Sequence, residues 1–151
     1  MAPTPVRPHV YVAVDGIAAP LTRPKAQRVV ESVLRSEHVR SALVSVAFVT
    51  NRSIATLNKR HLGHHGSTDV ISFGFARPTP QDPVVGDIYI APAVAKANAK
   101  ARGVSMREEL TRLLVHGTLH VLGHEHPEHG GREQSAMWKR QERLVRKLAA
   151  R

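Results

Sequence analysis

One window constrains this chain more tightly than any other: His116-Gly117-Thr118-Leu119-His120-Val121-Leu122-Gly123-His124-Glu125-His126. His116 and His120 lie four residues apart in a segment with helical apolar periodicity. Four residues is about one helical turn, so both imidazoles share a face, with Cβ atoms about 6 Å apart. Gly123 lets the chain turn back after the helix, so His126 can supply a third nitrogen. Three protein ligands with a fourth position left open are the pattern of a catalytic zinc site rather than a structural one. The spacing therefore marks His116, His120 and His126 as candidate ligands for one Zn²⁺ per chain. His116 and His120 are also the candidate catalytic residues, acting through water on the metal. His124 sits off the ligand spacing and reads as a surface or supporting residue, and His129 reads as loop.

The familiar His-Glu-x-x-His peptidase motif keeps its general base directly after the first histidine. Here that position is Gly117. The chain thus has the metal half of such a site without its base, which argues against peptide hydrolysis. A glycine inside a helix costs roughly 1 kcal/mol relative to alanine. Its presence in the first turn of the motif points to a steric demand for close approach.

Ten histidines occur in 151 residues, eight of them in the windows 61–65 and 116–129. Cysteine is absent, which excludes disulfides, thiolate-bound metals and thiol nucleophiles. Lys and Arg outnumber Asp and Glu by 22 to 12, a net charge of +10 that points to a polyanionic partner, nucleic acid before membrane. Aromatic residues make up only 4%, which argues against base-stacking platforms. The N-terminal residues lack the apolar stretch of a signal peptide, and no apolar run is long enough to span a bilayer, so a cytoplasmic protein without a membrane partner is expected.

Residues 1–8 carry three prolines and read as a tail, with a single domain over 9–151. Strands are expected at 10–14, 43–49, 69–73 and 87–90. Helices are expected after Thr22, after Asn51 as far as Gly63, and from Pro92 to Gly103. Another should follow Ser105, opened by the capping box Ser105-Met106-Arg107-Glu108, and the last should run from about Gly131. The grouping predicts an α+β fold: a small mixed four-stranded sheet packed with about five helices, the metal site on the signature helix. Trp138 reads as core, and Asp69 as a structural residue satisfying nearby backbone N–H groups. Between 51 and 77, Arg52, Lys59, Arg60, Arg77 and three histidines face a single acid, Asp69. Lys59, Arg60 and Arg77 are therefore the candidate RNA-binding residues.

The histidine window closely resembles the H-G-x-L-H-L-x-G-x-D-H signature of the YbeY family, bacterial endoribonucleases of rRNA maturation. Leu57-Asn58, Thr68-Asp69-Val70-Ile71-Ser72-Phe73 and Gly86-Asp87-Ile88 also match, so the resemblance runs from about Leu57 to Trp138. It implies a single-strand-specific, metal-dependent endoribonuclease acting in 16S rRNA 3′-end maturation, ribosome quality control and small-subunit assembly. It also implies zinc on His116, His120 and His126. The implied partners are 16S rRNA, the small ribosomal subunit with one of its proteins, and an assembly GTPase. Two departures stand out. Glu125 replaces the signature Asp, and Leu62 occupies the position of an arginine important in many members, with His65 at the Asp position of the same loop. Two rival readings remain at this level: a non-catalytic assembly factor whose zinc only secures the fold, and a zinc metallopeptidase.

Overall fold

The computed structural model describes residues 8–63, 66, 68–127 and 130–149. Apart from Pro8 the expected tail lies outside these, as do His65 and His129. Four strands, β1 (His9–Val14), β2 (Ala42–Phe48), β3 (Val70–Phe75) and β4 (Val84–Ile90), form one sheet in the order β1-β2-β4-β3. β1, β2 and β4 run parallel, and β3 closes the edge antiparallel to β4. The helices are α1 (Arg23–Ser36), α2 (Asn51–Leu57), α3 (Pro92–Arg102), α4 (Met106–Val121) and α5 (Ala136–Ala149). The α+β class and the mixed four-stranded sheet are as expected.

The alternation along β2 sends Ala42, Val44, Val46 and Phe48 to one face, where they meet Val30 and Leu34 of α1 and Leu110 and Leu114 of α4. On the other face α2 sets Ile54 against Ile71, with Phe73 and Tyr89 packed around them. α4 packs against β3 and β4 of the sheet and against α1, α3 and α5. It is consequently buried nearly all round, polar Glu109, Thr111, Arg112 and Thr118 included, rather than on the single apolar face that its periodicity suggests.

The steric reason for Gly117 is plain in this packing. A Cβ there would lie 2.8 Å from Cγ2 of Ile88, which is fully buried on β4. The glycine lets the helix that carries His116 and His120 press onto the sheet. It does not open space on the histidine side.

Some boundaries differ from expectation. Thr50, not Asn51, caps α2 by accepting a hydrogen bond from the Ser53 amide at 3.1 Å. Beyond Leu57 that helix widens into one π-helical stretch, Asn58–Leu62, before ending at Gly63. The Ser105 cap on the Glu108 amide forms, but the Glu108 carboxylate bonds Arg112. α5 begins at Ala136, after a short 3₁₀ turn, Arg132–Gln134. Trp138 is half-buried rather than core, with the Arg102 guanidinium 5.8 Å from its ring centroid.

Candidate metal centre

His116 and His120 project from the last turns of α4. Leu122 caps that helix, and Gly123 follows with φ of 97°, in the left-handed region that admits glycine readily. The chain then doubles back, and His126 returns to the two helical histidines. The ring centroids are 4.5 Å apart for His116 and His120, 5.1 Å for His116 and His126, and 4.8 Å for His120 and His126. One nitrogen from each lies within 4.8 Å of the other two. His124 leaves the group: its Nε2 meets the Glu37 carboxylate at 2.6 Å, and Arg140 meets the other oxygen at 2.7 Å.

The ring orientations follow from a chain of hydrogen bonds that starts in α5. Glu142 accepts two bonds from Arg112, at 3.0 and 2.9 Å, and a third from the Gln141 side-chain nitrogen at 3.0 Å. A carboxylate can only accept here, so the amide of Gln141 must turn its oxygen the other way. That oxygen lies 2.7 Å from Nδ1 of His116. Nδ1 therefore carries the proton, and Nε2 keeps its lone pair free. His126 is fixed by the same logic, because its Nδ1 lies 2.9 Å from the Pro127 carbonyl oxygen. Supporting bonds of this kind set the tautomer of metal-binding histidines. Gln141, only 1% exposed, gave no signal in the sequence, because its partner lies 25 residues away.

Burial pushes the imidazole pKa of His116 down to about 4, against the opposing hydrogen bond that its Nδ1–H donates to Gln141. It does the same for His120, reinforced by neighbouring His116 and His126. Both rings are neutral at pH 7. Two neutral imidazoles and a third, His126, whose Nδ1 is engaged by a carbonyl oxygen so that Nε2 is free, are a donor set that suits zinc, so the residues present fit the metal that their spacing predicts.

The histidines open into a cleft of about 640 Å³ lined by Leu62, Thr68, Asp69, Val70, Ile71, Ser72, Glu125 and Arg132. Asp69 accepts a hydrogen bond from the Asn98 amide at 3.1 Å, so its partner is a side chain of α3 rather than the backbone N–H groups expected. The candidate RNA-binding residues do not enter this cleft. Lys59 and Arg60 are exposed on the π-helical stretch, whose last residue, Leu62, reaches the cleft wall. Arg77 lines a neighbouring depression that shares His120.

A model of the family described as Endoribonuclease YbeY matches residues 16–149. The chain belongs to the YbeY family. Relatives named Endoribonuclease YbeY include one from Sulfurihydrogenibium sp. (strain YO3AOP1), 33% identical over 85% of this chain and 84% of its own length. Another, from Carboxydothermus hydrogenoformans, is 37% identical over 78% of this chain and 80% of its own. Among solved structures, TM1509 from Thermotoga maritima superposes with a TM-score of 0.65 over 94% of this chain and 90% of that one. At 22% identity that likeness speaks for the fold alone. The YbeY match therefore stands on the sequence, and the fold agrees with it.

Proposed function

We propose that this YbeY-family protein is a zinc-dependent endoribonuclease that cleaves single-stranded RNA at the cleft below α4. The observation that carries this reading is the convergence of His116, His120 and His126 at the cleft floor, each with one nitrogen close to the other two. Bound zinc would lower the pKa of a coordinated water and polarise a phosphoryl oxygen. The chain's own residues perform the rest. Gln141 and the Pro127 carbonyl hold two imidazoles in the tautomer that presents Nε2. Burial keeps His116 and His120 deprotonated and ready as ligands. Thr68, Ser72 and Arg132 offer polar contacts along the wall, while Asp69 stays engaged with Asn98.

The net charge of +10 favours RNA over a peptide. The absence of a base at Gly117, whose missing side chain would run into Ile88, also stands against the peptidase reading. Arg77 beside the cleft, with Lys59 and Arg60 near its rim, would track the RNA backbone outside it. By its family we further propose 16S rRNA 3′-end maturation, ribosome quality control and small-subunit assembly as the setting. The partners there would be the small subunit, one of its proteins and an assembly GTPase, in the cytoplasm. No helix among the described residues is long and apolar enough to cross a membrane.

The decisive experiment incubates zinc-loaded protein with single-stranded RNA, with and without chelator, beside a His120→Ala variant. Cleavage should occur only in the loaded wild type. Binding of rRNA with no cleavage would instead favour an assembly factor.

A further inference from the structure

The cleft that contains the three histidines would receive a polyanion, yet its described walls carry two acids, Asp69 and Glu125, and a single permanent cation, Arg132. Setting the three imidazoles aside, the formal charge of the described walls is −1 − 1 + 1 = −1. A divalent metal brings the cleft to +1. Without Arg132 the loaded cleft would stand at zero. Among the described residues of the wall, this one side chain supplies the permanent positive charge that a phosphodiester would meet.

The cations picked out by sequence do not take this place. Lys59 and Arg60 sit two and one residues before His61, both exposed, and of the described residues of that stretch apolar Leu62 reaches the wall. Arg132 arrives from the 3₁₀ turn between α4 and α5. Gly131, with φ of 68°, turns the chain into the 3₁₀ turn that carries it. The turn is anchored behind: Ser135 bonds the Arg132 carbonyl at 2.6 Å and caps the Trp138 amide at 3.2 Å. Met137 then plugs into the core beside Leu119. The Arg132 guanidinium takes part in no ion pair among the described residues. A planar guanidinium with five donors and no committed partner is suited to bidentate contact with phosphate oxygens.

We propose that Arg132 is the phosphate-binding residue of this cleft, gripping the backbone of single-stranded RNA beside the three histidines. The inference rests on the nuclease reading for its substrate class, and its test separates the two. The probe is a short 2′-O-methyl oligoribonucleotide, which binds but lacks the free 2′-hydroxyls of RNA, titrated at several salt concentrations against zinc-loaded protein. Arg132→Gln should weaken binding about tenfold and flatten the slope of log affinity against log salt by about 0.7, the loss of one phosphate contact. Arg132→Lys should keep the wild-type slope but recover only part of the affinity, because a point charge replaces a fork. Zinc content should match wild type in both. On cleavable RNA, Arg132→Gln should raise KM more than it lowers kcat. Unchanged affinity and salt slope in Arg132→Gln would overturn the proposal, as would a wild type that does not bind the probe. A wild type that binds with the predicted slope but never cleaves RNA would overturn the nuclease reading and leave Arg132 as an RNA-binding residue.

Discussion

α4 buries two polar clusters about one turn apart and completes them in opposite ways. At its middle, Arg112 is surrounded by carboxylates, with Glu142 at 2.9 Å, Glu108 at 3.2 Å and Glu109 at 3.5 Å, and Arg102 adds a second cation on Glu109 at 3.5 Å. Burial would raise the pKa of Glu142, but hydrogen bonds from Arg112 and Gln141 hold it below the usual carboxylate range. The protein supplies both signs of charge there, and the cluster is closed. At the C-terminal end, His116 and His120 face a cleft as neutral rings, with no carboxylate in an ion pair to them among the described residues. That cluster has lone pairs and no proton or cation to share them, and a metal ion would complete it. Gln141 and Glu142 join the two, so the closed cluster orients a ring of the open one. A buried helix can thus hold ionic groups for rigidity at one turn and leave ligands unfilled for chemistry at the next.

This contrast can be broken at several points. The greatest effect belongs to the open cluster: His116→Ala, His120→Ala and His126→Ala should each lose most of the bound zinc and RNA cleavage with it. Full zinc occupancy in His126→Ala, measured by elemental analysis, would remove that residue from the ligand set. In the closed cluster, Arg112→Ala leaves Glu108 and Glu142 without an ion pair and Glu109 with Arg102 alone, and should cost about 3–5 kcal/mol. Calorimetry should show that loss as a drop in Tm of roughly 10 °C, and a drop of a degree or two would show the cluster to be dispensable.

The link between the clusters is tested by Gln141→Leu, which keeps volume but removes the acceptor for His116. Zinc affinity should fall roughly 10- to 100-fold with the fold intact by circular dichroism; unaltered affinity would mean the ring needs no such partner. Gly117→Ala sets a methyl against Ile88. Overpacking of about 2 kcal/mol, less about 1 kcal/mol of helix propensity gained, leaves a net loss of about 1 kcal/mol in a urea titration. A stabilised variant would contradict the close approach.

The last outcome concerns pH. His116 and His120 titrate near 4 in the fold, against an ordinary 6.5, so between these values the unfolded chain binds more protons. Metal-free protein should therefore be fully supported by these rings above pH 6.5 and lose that contribution as pH falls toward 4. The urea midpoint should track this, and replacing His120 by Ala should flatten the trend.

Much of this site was legible because its information is local. The His116–His120 interval is about one helical turn, Gly123 is a stop signal, and His126 lies within reach of a reversal that any chain with that glycine can make. The strands and helix caps were legible for the same reason, since Thr22 and Ser105 act on amides three residues away. Where the reading missed, the deciding contact was distant or the competitor adjacent. Thr50 caps α2 from one residue before Asn51, a choice between neighbours that composition cannot make. The π-helical stretch sets Leu62 in the cleft wall and leaves Lys59 and Arg60 exposed, a placement that charge density does not encode.

By itself, then, the sequence determined which three histidines come together and the order of the elements, because periodicity and turn chemistry act over a few residues. Only the tertiary structure decided that Gln141 orients His116, that Gly117 yields to Ile88 and that Arg132 enters the cleft. Those outcomes depend on which faces of α4, α5 and β4 meet, and packing fixes such meetings between residues that no local pattern connects.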